Sequence, residues 1–133
     1  MSDRCRLVIE VRVDEVGLFE EHLDGFDEIR EEGNTAECII DEASGTMECE
    51  IRELALKHNL TFCGWHEEGA EWNPGLFAAC GGFVVWVDSN IEKIVPVIEL
   101  QPDLRMDYDK VAKVSQYYET QSLVNRYFAE LQN

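Results

Sequence analysis

The sequence predicts a single α+β domain with an antiparallel sheet of about five strands and three flanking helices. Three observations carry that reading. Residues 5–13 alternate with period two, Leu7, Ile9, Val11 and Val13 on one side and Arg6, Glu10 and Arg12 on the other, as a half-buried strand does. Two apolar runs, 76–80 and 83–87, are joined by Gly81-Gly82, a strong hairpin signal. Three other segments space their apolar residues by three and four, the period of an amphipathic helix. At 133 residues and 45% hydrophobic, the chain buries enough surface for one self-sufficient core. Strand–helix–strand–helix followed by a meander and a last helix is an α+β pattern, and no repeat or linker divides it.

After the first strand, Asp14 is placed to cap a helix, with Val13 and Leu18 as a hydrophobic staple. Val16, Phe19, Leu23 and Phe26 give that helix an apolar stripe over residues 15–31. Gly25 offers an earlier end, with 27–32 as a separate turn. Cys38-Ile39-Ile40 marks a strand over 35–42. Met47, Ile51, Leu54 and Ala55 mark a second helix that ends near His58-Asn59. Residues 60–65 read as a strand, 67–75 as a polar loop, and 83–87 as a central strand apolar on both faces. Asp88-Ser89-Asn90 is expected to turn the chain into a strand over 94–100, which Pro96 confines to an edge or a bulge. Val111, Val114, Tyr118, Val124, Phe128 and Leu131 are the expected packing residues of a last helix starting near Asp107 or Tyr108.

Composition narrows the function. No apolar run reaches the ~20 residues of a membrane span, and the first residues lead into an alternating stretch rather than a signal core, so a cytoplasmic location is expected. Five cysteines, Cys5, Cys38, Cys49, Cys63 and Cys80, form an odd, widely spaced set that reads as reduced thiols. Cys63 and His66 have a ligand-like spacing, with His58 and Cys80 nearby. A structural zinc site usually presents two short-spaced pairs, and the second is missing here. No metal and no cofactor is expected.

The charge is the most informative feature. The chain holds 28 Asp and Glu against 11 Lys and Arg, a formal charge of −17, which excludes the usual basic footprint of a nucleic-acid binder. Residues 1–53 carry 17 acids and 5 bases, so the acidity is concentrated toward one end. On a helix over 15–31, Glu20, Asp24, Asp27, Glu28 and Glu31 fall on one stripe, flanked by Glu21 and Glu32. Like charges four apart destabilise a helix by a few tenths of a kcal/mol per pair, and Arg30 is the sole base between Asp14 and Glu50. Glu67, Glu68 and Glu71 form a second acidic group beside Trp72, an aromatic in a polar stretch and a candidate interface anchor.

A charge run of this kind is commonly a solvated face that keeps a protein soluble. Its concentration at one end points further, to a non-catalytic inhibitor that places carboxylates in a basic nucleic-acid-binding groove of a partner protein, mimicking DNA or RNA. Phage or plasmid anti-defence proteins (anti-CRISPR, anti-restriction) use this physics, and so do immunity proteins that neutralise a nuclease toxin. The expected partner is a basic nucleic-acid-binding protein or nuclease complex; direct nucleic-acid or membrane binding is not expected. A small enzyme or ligand-binding domain would have to use the other dense constellation, His58, Cys63, Trp65, His66, Glu67, Glu68, Glu71 and Trp72. Cys63 and His66 are three apart, so a regular strand points them to opposite faces, and no catalytic residue is assigned.

Overall fold

In the computed structural model, which describes residues 4–90 and 95–132, strands β1 (Arg4–Arg12), β2 (Glu28–Glu32), β3 (Thr35–Ser44), β4 (Phe62–His66), β5 (Gly75–Cys80), β6 (Phe83–Asn90) and β7 (Val95–Pro96) form one sheet. All neighbours are antiparallel, in the order β2-β3-β1-β4-β5-β6-β7. The helices are α1 (Val16–His22), α2 (Glu48–His58) and α3 (Tyr108–Leu131). β1-α1-β2 and β3-α2-β4 are interleaved, each unit's two strands being separated by a strand of the other. That is the split βαβ arrangement of ferredoxin-like folds, extended by the β5-β6-β7 meander. Among the described residues, no helix is long and apolar enough to cross a membrane.

The expected α+β class holds, with seven strands in place of about five. The pleat sorts side chains onto two cores. Leu7, Ile9 and Val11 of β1 pack with Phe19, Ile51, Leu54, Phe62 and Phe77 beneath α1 and α2. On the opposite face Leu76, Ala78, Val85 and Val87 meet Tyr117, Val124 and Phe128 of α3. β6 alternates between the two, Val84 and Trp86 toward α2 and Val85 and Val87 toward α3, as its apolarity on both faces requires. Gly81 and Gly82, at φ 59° and 87°, make the hairpin that joins it to β5.

The first helix is the principal correction. Helix α1 stops at His22, and residues 28–31, expected as its last turn, belong to edge strand β2 instead. Asp24 sits at φ 64°, and the Gly25 N–H bonds back to the Glu20 carbonyl at 2.8 Å, closing a Schellman-type end. The break therefore falls one residue before Gly25, at an Asp whose short side chain tolerates the left-handed region. Nor does Asp14 cap the helix. It lies in a 3₁₀ turn, Val13–Glu15, and its carboxylate is held by Arg12, which lowers its pKa.

Other expectations shift by smaller amounts. Asp88, Ser89 and Asn90 continue β6 instead of turning, because Ser89 bonds to the Pro74 carbonyl and Asp88 accepts from Val97. β7 covers Val95–Pro96 alone of the expected 94–100, and Ile94 lies outside the described residues. Pro96 does sit on the edge strand. On α3, Tyr117 rather than Tyr118 packs on the sheet, and Tyr118 is exposed. Asp107 caps α3 through the Asp109 N–H at 2.9 Å.

Candidate acidic interface

Strand order, not helical periodicity, gathers the acids. The N-terminal end of β1 lies beside the C-terminal ends of β3 and β4, so three loops converge there. Asp24 and Asp27 come from the α1–β2 connection, Asp41 and Glu42 from the end of β3, and Glu67 and Glu68 from the β4–β5 loop. A cleft of about 640 Å³ opens between the first two groups, floored by Leu23, Phe26, Ile40, Ala43 and Met47 and rimmed by Arg4, Asp24, Asp27, Asp41 and Glu42. Arg4, Asp41 and Glu42 also line the adjoining depression of about 360 Å³ that reaches Arg6, Glu67 and Glu68. Six carboxylates thus face two guanidiniums across one continuous surface.

Several of these groups have structural duties. The Asp27 carboxylate accepts the Asp41 N–H at 2.8 Å and ties the α1–β2 loop to β3. Glu67 brackets Arg6, its side chain accepting the Arg6 N–H at 3.2 Å and its own N–H bonding to the Arg6 carbonyl at 3.0 Å. The Arg6 guanidinium approaches Asp41 at 3.9 Å. At the exposed rim, Asp24, Asp41, Glu42 and Glu68 present their carboxylates to solvent.

The other sequence-selected residues are distributed differently. Glu20 and Glu21 project from α1 a turn before Asp24. Glu28 is taken by Arg30 at 2.8 Å, which lowers its pKa. Glu31 and Glu32 lie at the far end of β2, opposite Ala36 and Thr35, away from the cleft. Glu71 is exposed and lines neither depression. Trp72 is half-buried; its Nε1–H donates to the Glu67 carbonyl at 3.1 Å and its ring covers Gly69. It folds the loop onto itself and does not stand free as an anchor. Asp41 and Glu42, at the centre of the surface, were not singled out from the sequence. They directly follow the apolar run Cys38-Ile39-Ile40 of β3, and that position was the available signal.

A second carboxylate group appears on the α3 side of the sheet. Register places Cys63, Glu10, Glu37 and Arg30 in one row across four strands. Arg30 pairs with Glu37 at 3.6 Å, while the Cys63 thiol reaches Glu10 Oε2 at 4.0 Å. Burial, then the neighbouring Glu37 and Glu32, raises the Glu10 pKa. Burial pushes the Cys63 thiol up to about 12, far from a reactive thiolate.

The Cys63–His66 pair does not form, since Cys63 faces α3 and His66 packs on the α2 side against Trp86. Both His66 ring nitrogens are engaged, one with the Glu67 carbonyl at 2.9 Å and the other with Trp86 Nε1 at 3.0 Å. His58 is exposed at the end of α2. Among the described residues, no group of three or more His, Cys, Asp or Glu is placed to hold a metal ion.

No protein-family model matches this chain, and neither a curated protein nor a solved structure matches it significantly. An apolar floor with a carboxylate rim suits a long cationic side chain, whose methylenes pack below while its charge meets the acids above.

Proposed function

We propose that this protein is a non-catalytic, cytoplasmic inhibitor that sets its acidic surface on the basic nucleic-acid-binding groove of a partner protein or nuclease complex, as phage or plasmid anti-defence proteins do. The observation that carries the reading is the convergence of Asp24, Asp27, Asp41, Glu42, Glu67 and Glu68 on one end of the sheet around an apolar-floored cleft. Three separate segments supply these acids, and the fold sets them side by side despite mutual repulsion. A groove built for phosphates answers with Lys and Arg clusters. Such side chains fit the cleft by stem and by charge, and the net charge of −17 steers the encounter.

The test is affinity capture from nuclease-treated lysate at low salt, with three forms of the protein as bait. Asp41→Lys, Glu42→Lys and Glu68→Lys together reverse the rim. Glu53→Lys, Glu119→Lys and Glu130→Lys change the charge equally elsewhere. The wild type and the control should retain the same basic nucleic-acid-binding protein, released by duplex DNA, RNA or high salt, and the rim-reversed form should lose it. Retention by the rim-reversed form, or no competition from nucleic acid, overturns the proposal.

A further inference from the structure

A different part of the molecule has the opposite charge character. α2 and α3 cover opposite faces of the sheet, and at the outer edge of β6 the two layers part around a cavity of about 250 Å³. Arg52 of α2 and Lys110 and Lys113 of α3 converge on it, and its apolar wall includes Trp86 of β6 and Val97 and Ile98 of the segment after β7. Two acids share the lining: Glu48 pairs with Arg52 at 2.7 Å, so that each offsets the other, and Asp88 accepts from the neutral Asn73 amide at 3.4 Å and keeps its charge, which leaves Lys110 and Lys113 against one carboxylate. Neither lysine makes an ion pair among the described residues. Both lie in the first two turns of α3, where the helix dipole already favours anions. In a chain of net charge −17, this strand edge thus sets three cations against two carboxylates.

The backbone at that edge is incomplete. In an antiparallel strand, alternate residues turn both N–H and C=O to the same neighbour. Ser89 N–H points inward to Pro74, so the even residues of β6 point outward. Asp88 O accepts from Val97 at 3.0 Å and Val84 O from Arg52 at 2.8 Å. Trp86 lies between them, and its N–H and C=O have no partner among the described residues. Continuing the β7 register would set residue 99 opposite Trp86 and 101 opposite Val84. β7 itself ends at Pro96, and further on the Gln101 N–H is taken by the Arg105 carbonyl at 2.9 Å.

We propose that this open rung of β6 takes a short, extended, acidic peptide segment of a partner by strand addition, one residue pairing with the Trp86 backbone and acidic side chains meeting Lys110 and Lys113. Backbone bonds supply the docking geometry and the cations supply the selectivity for acid. The site is separate from the acidic cleft, and neither reading rests on the other.

The probe is an acetylated six-residue peptide alternating valine and glutamate, titrated into ¹⁵N-labelled protein while the Trp86 amide is followed. A saturable shift of that amide, weakened at least 10-fold by Lys110→Glu with Lys113→Glu and lost on N-methylation of the peptide backbone, is the expected result. Equal binding of a valine–glutamine peptide, or the same shift from inorganic phosphate alone, overturns it. So does exchange protection of the Trp86 amide in the free protein, since the chain's own 97–101 segment would then fill the rung.

Discussion

Trp86 Nε1–H donates to His66 Nε2 at 3.0 Å across β5, joining two strands that do not touch in the sheet. Accepting at Nε2 leaves the His66 proton on Nδ1, which donates to the Glu67 carbonyl at 2.9 Å. The imidazole is thus held neutral, and burial lowers its pKa. Because the unfolded chain binds this proton more readily, the contribution of His66 to stability is complete above the ordinary histidine pKa of about 6.5 and is lost as pH falls toward the folded value. Urea denaturation of the wild type and of His66→Gln, compared from pH 5 to 8, should show a difference that is flat above pH 7. Below that it should shrink by at most about 1.4 kcal/mol per pH unit. A difference independent of pH would mean that His66 is not buried in its neutral form.

Glu10 works in the other sense. Its raised pKa means that folding disfavours its carboxylate, so its contribution is greatest below the unfolded pKa and is lost as pH rises through the folded one. Glu10→Gln should raise the melting temperature at pH 7 and leave it nearly unchanged at pH 4. A loss of stability at both pH values would show that the carboxylate is held by a favourable contact.

Gly64 lets β4 lie close to its neighbours. A Cβ there would run into the Val8 carbonyl oxygen and the Phe77 ring. Gly64→Ala should therefore destabilise by about 1–3 kcal/mol, the usual cost of overpacking a filled core, read as a lower denaturation midpoint at constant slope. Gly17→Ala, where a Cβ meets nothing within 4 Å, is the matched control.

The acids of the cleft should separate into two groups. Asp27→Ala removes the acceptor of the Asp41 N–H and should cost about 1 kcal/mol of stability. The Asp41→Lys, Glu42→Lys, Glu68→Lys combination removes no backbone bond, and the Asp41–Arg6 pair that it breaks is long and exposed, so the melting temperature should change little. It should weaken partner binding by about 100-fold, or ~2.7 kcal/mol, close to 1 kcal/mol for each rim charge. Calorimetry or fluorescence melting checks the first effect and direct titration of the captured partner the second. Loss of folding in the triple variant would show that the rim charges are structural.

What could be read from the sequence was whatever depended on local period. Leu7, Ile9 and Val11 alternate because one face of β1 is buried, and Gly81-Gly82 turns because both positions need positive φ. The same kind of reading misplaced 27–32. Glu20, Asp24, Asp27, Glu28 and Glu31 fit a helical stripe, yet Glu28, Arg30 and Glu32 fit a strand equally well, and charge alone does not choose between the two periods. Pairing with β3 chose. Tyr117 and Tyr118 pose the same ambiguity, and the direction from which α3 meets β5 and β6 resolved it.

By itself, then, the sequence determined the α+β class, the two-sided β6 and the acidity of the N-terminal half. Tertiary structure alone decided which acids share a surface. Asp41 meets Arg6 and Glu42 meets Arg4 because β3 lies next to β1, and Glu67 joins them because β4 lies on its other side. Strand order is set by the burial of Leu7, Ile9, Cys38 and Phe62 in one core, a collective hydrophobic term that no window of neighbouring residues contains.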